Sequence, residues 1–418
     1  SFLKRAGGRG MGPLEVSTEL RPGQMNRIEI EFVRPAEATS FGMLIVYADG
    51  SEQLVQSSPD WKTFFDNQET GEARVLDNYG GSQYGVANSH PQSSYGPSWF
   101  RQRVPVKKDL ARARLYLCAL GQGLAYLNGR IVDDVFFSSP QSDYEEFAYY
   151  TAHDITSMLK RGDNALSILL DSSWYHQVGG FGRIFSYGHP GLKAKVLLEY
   201  VDGSTETVVS DGSWQWRESE ILLANIYRGE RIDYRLQHNS WKNLKEQDGW
   251  KAVDALSPLS PKLVAMDVTP VTRDGELSVV KRWQIGAKTW LFDFGQTTHG
   301  TVRLKFHEPE GAVIRLRYSE YAENGIMENV PLSHWLCHGV MQYDEIISDG
   351  KPKVFESAFT TKSFRFVEVS GLSKAPVEGD VVAFPVHTEA EVLATFESSD
   401  PMLNRLFVKF SITGNINS

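Results

Sequence analysis

Short stretches of alternating apolar and polar residues, each closed by a turn signal, repeat along most of this chain. Met43-Leu44-Ile45-Val46-Tyr47 runs into Ala48-Asp49-Gly50-Ser51, and Val196-Leu197-Leu198-Glu199-Tyr200-Val201 runs into Asp202-Gly203-Ser204. A β-branched and aromatic run followed by Asp-Gly predicts a strand and a tight hairpin, because such turns need positive φ. Arg114–Leu120, Ala165–Asp171, Thr301–Phe306, Val313–Tyr318 and Phe364–Ser370 carry the same strand pattern. Few helical periods lie between them, so no crossover helices are available for a parallel sheet. The predicted class is all-β, built as tandem jelly-roll or β-sandwich domains.

Two helical segments interrupt this pattern. A short one is predicted near Thr156, which is placed to cap it, with Met158 and Leu159 facing inward and Gly162 ending it. The second closes the chain: Asp400 suits the N-cap and Pro401 the first helical position. Leu403, Leu406, Phe407 and Phe410 then recur at helical spacing. Such an apolar face asks for helices to pack against, and the natural polypeptide is expected to continue into a helical domain.

Shifts in composition suggest the organisation. The Gly-rich stretch Tyr79–Pro97 separates a first β segment from a second, and Leu256-Ser257-Pro258-Leu259-Ser260-Pro261 reads as a linker. The expected divisions are a β segment at 1–95, a jelly roll at 96–255, a second β-sandwich at 262–392, and a linker with one helix at 393–418. Pro59-Asp60-Trp61 and Asp49-Gly50-Ser51 echo Asp211-Gly212-Ser213-Trp214 and Asp202-Gly203-Ser204, which reads either as a duplicated sandwich or as chance.

Composition narrows the chemistry. With 43 basic against 52 acidic residues the formal net charge is −9, which argues against a nucleic-acid partner held through phosphates and is compatible with neutral sugars. The 10 Trp, 17 Tyr and 22 Phe supply core material and rings able to stack on sugars. Two cysteines, Cys118 and Cys337, exclude a disulfide framework, and Cys118 is expected buried on a strand. His334-Trp335-Leu336-Cys337-His338 lacks the second ligand pair that zinc needs. No run reaches the roughly 20 apolar residues of a membrane span.

Three stretches together resemble the bacterial α-L-rhamnosidases, glycoside hydrolase family seventy-eight. The first runs from Arg114-Leu115-Tyr116-Leu117 through Ala125-Tyr126-Leu127-Asn128-Gly129-Arg130 and Tyr149–Thr156 to Gly162-Asp163-Asn164-Ala165-Leu166. It continues through Trp174-Tyr175, Asp211–Trp214 and Tyr227-Arg228-Gly229-Glu230-Arg231-Ile232-Asp233-Tyr234-Arg235, and ends at Asp248-Gly249-Trp250. The second opens at Leu291-Phe292-Asp293-Phe294-Gly295-Gln296 and includes Tyr318-Ser319-Glu320, Gln342-Tyr343-Asp344 and Phe364–Val369. The third is Phe396–Leu406, which in the family leads into the first helix of an (α/α)₆ barrel. The resemblance covers residues from about 96 to 418 and implies the N-terminal jelly roll, the next β-sandwich and the start of that barrel.

It also implies hydrolysis of terminal α-L-rhamnosides with inversion. That chemistry needs an acid and a base carboxyl roughly 6.5–9.5 Å apart. In the family both are glutamates of the barrel, and the acid lies soon after an Asp-Cys-Pro-x-Arg-like motif that is absent from this sequence. No catalytic residue is therefore assigned, and the chain is expected to be the non-catalytic front of such an enzyme. Alternatives are a stand-alone rhamnose- or polysaccharide-binding module and part of a related rhamnose-glycan lyase. Hydrolysis requires no cofactor, although the resemblance allows a structural or sugar-bridging Ca²⁺. Candidate sugar-binding residues are Trp174, Tyr175, Tyr187, Asp211, Trp214, Tyr227, Glu230 and Asp233, which pair rings with groups for vicinal hydroxyls. The same residues also read as core rings and a salt-bridged loop. The expected partner is a rhamnose-containing glycan, with no nucleic acid and no membrane span. The compartment expected is periplasmic or extracellular.

Overall fold

The computed structural model describes residues 96–180, 183–187, 190–226, 228–253, 262–323, 326–327, 343–388 and 395–407, together with the backbone of four strands between 42 and 72. Tyr227, the 256–261 linker, the turns at Asp49–Ser51 and Pro59–Trp61, and the His334–His338 segment lie outside the described residues. Among the described residues no helix is long and apolar enough to cross a membrane.

The chain forms two compact units. One gathers residues 1–93, 178–184 and 330–341. It contains the antiparallel hairpins Gly42–Val46 with Glu52–Gln56 and Lys62–Phe65 with Gln68–Glu72. The first of these flanks the predicted Asp-Gly turn.

The other unit holds the rest of the chain, and the regular elements among its described residues are strands, short 3₁₀ turns and one final helix. Its first sandwich has a six-stranded and a five-stranded sheet. Strands Ser98–Val106, Gly162–Asp171 and Gln122–Leu127 centre the former, and Leu110–Leu120 and Gly191–Tyr200 the latter. Alternation drives Val104, Leu115, Leu117, Leu166, Ile168, Val196 and Leu198 into one core between them. Asn128 and Gly129 turn one hairpin at φ 51° and 81°, the two positive values a two-residue hairpin demands. Asn128 also accepts from Ala165 N and donates to Asn164 Oδ1, tying the turn to the next strand.

The predicted helix near Thr156 is one 3₁₀ turn, Thr156–Met158. Thr156 lies inside it rather than capping it: its Oγ1 receives Ala113 N at 2.8 Å, while Asp154 Oδ1 receives Thr156 N. Met158 and Leu159 do pack on the core. Cys118 is buried on its strand, as expected.

The second sheet is built on the long strand Thr289–Phe306, with Lys362–Ser370, Val381–Thr388, Val313–Ser319 and Tyr343–Ile347 around it. Its core takes Phe292, Phe294, Val302, Leu304, Ile314, Leu316, Phe364 and Val367.

The first sandwich and the second, eleven-stranded sheet exchange strands across the expected 255/262 boundary. Gly229–Asp233, from the first segment, runs parallel to Tyr343–Ile347 in the second sheet. In return Lys262–Ala265, beyond the linker, pairs in parallel with Phe147–Asp154 of the first sandwich. Trp99, Leu169, Ile232, Tyr234 and Trp250 accordingly share one core with the second sheet's aromatics. Sequence order alone does not divide this molecule, because each segment completes a sheet of the other.

Candidate functional site

Several sequence landmarks converge on one buried polar node. Gly229 sits at φ 109°, and a Cβ there would lie 2.2 Å from the Tyr343 carbonyl oxygen, so only glycine admits this close approach. The turn it makes presents Glu230 N to Asp344 Oδ1 at 2.7 Å. Asp344 also receives Tyr318 Oη at 2.5 Å, Ser357 Oγ at 3.0 Å, and Lys362 Nζ on both oxygens at 2.6 and 2.8 Å. Lys362 Nζ further donates to Thr360 Oγ1 and Ser357 Oγ. Glu230 turns the other way and accepts from Phe359 N at 2.6 Å and Ala358 N at 3.1 Å. It thereby holds the segment entering strand Lys362–Ser370.

Such a set of carboxylates, ammonium and hydroxyls has the chemistry of a reaction centre but not the access. Asp344, Lys362 and Glu230 are 0%, 1% and 2% exposed. Burial raises the Glu230 carboxyl to about 7, with the Asp344 charge adding to it and Lys362 opposing. Burial likewise pushes Asp171 to about 7, with Glu230 contributing. What this arrangement does chemically is fix the Glu230 strand, the Asp344 strand and the Lys362 strand in one register.

These two carboxyls set a pH dependence. Their folded pKa values lie above those of the unfolded chain, so the stability they contribute is full below about pH 4 and lost as pH rises through about 7. The melting temperature is expected to fall between about pH 4 and 7, and Asp171→Asn should flatten that slope. Equal slopes in variant and parent, measured by thermal denaturation, would count against this assignment. Asp233 and Asp293, held low by their arginines, act only in acid below that window.

The other landmarks also form locks between neighbouring elements. Asp293 takes a two-pronged contact from Arg365, at 2.8 and 2.9 Å, which joins two of the sequence motifs across neighbouring strands. Arg101, 1% exposed, lies over the Trp250 ring at 4.0 Å. Its donors reach Gln215 Oε1, the carbonyls of Ser240, Asn243 and Glu246, and Gln247 Oε1. The Asp248-Gly249-Trp250 ending is thus pinned to strand Ser98–Val106.

The eight sequence-derived sugar-binding candidates do not form one site. Tyr175 and Tyr187 meet, with centroids 5.9 Å apart, and Tyr144 closes their cluster at 5.1 and 5.2 Å. Trp174 borders the same cluster. Trp214 lies instead in the core between the sheets of the first sandwich, with its Nε1 donating to Val209 O. Asp211 is exposed in an open groove with Gln102, Arg103, Thr207 and Ser213. Glu230 and Asp233 are buried on the strand given to the second sheet, and Asp233 is held by Arg235 at 2.9 and 2.7 Å. Tyr227 is outside the described residues. Among the described residues, no group of three or more His, Cys, Asp or Glu side chains is placed to hold a metal ion.

Sequence reading singled out Glu230 but missed Lys362 and Arg101. A signal for Lys362 existed: it shares the inward parity of Phe364 and Phe366 on its strand. A lysine on the core parity implies a buried partner.

A β-sandwich whose strands interlock with a second, mostly antiparallel sheet, with the Glu230, Asp344 and Lys362 node sealed inside, defines the class at the level of fold: a protein of tandem, interlocked β domains. The α-L-rhamnosidase N-terminal domain family matches residues 108–274, and the bacterial α-L-rhamnosidase concanavalin-like domain family matches 283–387. The chain belongs to the bacterial α-L-rhamnosidase family. An α-L-rhamnosidase of Streptomyces avermitilis is 31% identical over 88% of this chain and 36% of its own length. One from Formosa agariphila is 27% identical over 77% of the chain and 35% of its own length. The crystal structure of a Streptomyces avermitilis α-L-rhamnosidase complexed with L-rhamnose superposes with a TM-score of 0.74 at 28% identity, covering 90% of this chain and 37% of that one. The chain spans about a third of the length of the curated relatives it matches.

Proposed function

We propose that this chain is the non-catalytic β scaffold of an inverting α-L-rhamnosidase, with the catalytic glutamates in a helical barrel beyond residue 418. One observation carries the reading. The helix of residues 401–407 begins at Asp400, whose Oδ1 receives Met402 N at 2.8 Å, and it leaves Met402, Leu403 and Leu406 at 70%, 45% and 48% exposure. Beside it Phe396, packed on Phe407, is 46% exposed. A well-capped helix with uncovered leucines fits a first barrel helix that packs on others. The sealed state of Glu230 and Asp344 supports the same view, since no sugar ring reaches them.

The substrate class proposed for the complete enzyme is a terminal α-L-rhamnoside on a glycan or glycoside, by analogy with the named relatives. The 418-residue chain is expected to release no p-nitrophenol from p-nitrophenyl α-L-rhamnoside above the buffer rate, with the full-length parent as positive control. Turnover comparable to the parent would sink the proposal.

A further inference from the structure

The five-stranded sheet of the first sandwich has an outward face that the scaffold reading does not use. Strand Leu110–Leu120 sends Ala113, Leu115 and Leu117 into the core and Arg112, Arg114 and Tyr116 the other way. On the neighbouring strand, register sets Lys195 beside Tyr116, Lys193 beside Cys118 and Glu199 beside Arg112. On the other side it sets Ala152 beside Tyr116 and Asp154 beside Arg114. The half-buried rings of Tyr116 and Tyr150 lie 6.2 Å apart, tilted by 60°, and give a ridged aromatic floor in which Tyr150 also packs against the buried cluster of Cys118, Tyr144 and Tyr175. Ala152, small and exposed, keeps its row low next to Tyr116.

Polar groups around this floor are incompletely used. Arg114 Nη1 donates to Tyr116 Oη at 3.3 Å, while Arg114 Nε and Glu199 Oε2 are buried beneath the face and have no hydrogen-bond partner among the described residues. Arg112 reaches Asp154 only at 3.8 Å. Lys193 and Lys195 are exposed and make no ion pair among the described residues. Four cations thus face two carboxylates here, on a chain whose formal net charge is −9.

We propose that this face binds a short saccharide bearing a uronate carboxylate. Its pyranose ring would lie on Tyr116 with Tyr150 at its edge, and its carboxylate would reach Lys193 and Lys195. Arg112, exposed at the edge of the patch and 3.8 Å from Asp154, would supply a donor for a hydroxyl, one of the few polar groups a sugar site needs beside an aromatic surface. Aromatic rings among cations also suit single-stranded nucleic acid. The patch is small and the chain acidic, which favours a ligand with one or two charges over a long polyanion.

The inference is independent of where the catalytic residues lie, so an inactive chain can still satisfy it. Calorimetry of the 418-residue chain with digalacturonate is expected to give saturable heat, with none from the neutral disaccharide galactobiose. Lys193→Glu with Lys195→Glu, both exposed, should weaken binding by about tenfold or more, the effect of losing one charge-assisted contact. Tyr116→Ala should do the same, and an unchanged melting temperature verifies that each variant is folded. No heat with digalacturonate, equal heat with galactobiose, or binding preserved in the folded lysine double variant overturns the proposal. Tighter binding of an oligothymidylate than of digalacturonate would overturn it in favour of nucleic acid.

Discussion

Lys362→Met is expected to destabilise the β domains by about 3–5 kcal/mol, the usual consequence of stripping one partner from a buried ion pair. The change removes the ammonium that touches both oxygens of Asp344 at 2.6 and 2.8 Å, in a site where lysine and aspartate are 1% and 0% exposed. Methionine fills much of the lysine stem's volume, so the loss reports charge rather than a cavity. Asp344 then keeps Tyr318, Ser357 and the Glu230 N–H as donors but has no counter-ion, with Glu230 nearby to repel it. Adding Asp344→Leu should recover part of the loss, because two apolar groups in place of a buried pair can approach neutrality. Urea denaturation of parent, single and double variants measures this. A single variant within about 1 kcal/mol of the parent would show that Lys362 is not a keystone of the node.

The second large effect concerns the exchanged strands. Expressed separately, residues 94–258 and 259–418 are each expected to be insoluble or to melt without cooperativity, whereas co-expression should return a folded complex. The first piece would expose the edge of Gly229–Asp233 that pairs with Tyr343–Ile347, and would lack Lys262–Ala265 beside Phe147–Asp154. It would also uncover Trp99, Ile232, Tyr234 and Trp250, which are at most 9% exposed in the intact chain. Unpaired edges and uncovered aromatics of this kind favour aggregation. A sharp thermal transition from either piece alone would refute the interlocked reading and restore the linker as a true domain boundary.

The divisions expected from sequence fell at the Pro/Ser-rich linker because composition changes there. That signal reports where the chain is exposed, not where hydrogen bonds go. Parallel pairing of Arg231 with Glu345, more than a hundred residues apart, has no local trace. The sugar-binding set failed to assemble for a similar reason. Trp174, in the turn Ser173–Tyr175, and Trp214, in the turn before strand Gln215–Glu218, pack against different core clusters, and only the way those turns fold back onto the sheets decides this.

Local chemistry, by itself, determined the strands, the Asn128-Gly129 and Asp202-Gly203 turns, the capped helix at Asp400 and the family, because each depends on residues a few positions apart. Alternation and turn residues suffice for those. The tertiary structure alone decided that Glu230, Asp344 and Lys362 form a sealed node, that two segments complete each other's sheets, and that Tyr116, Tyr150, Lys193 and Lys195 share one face. Each of these joins residues whose separation in the chain carries no periodic signal, and their meeting is set by strand order and register.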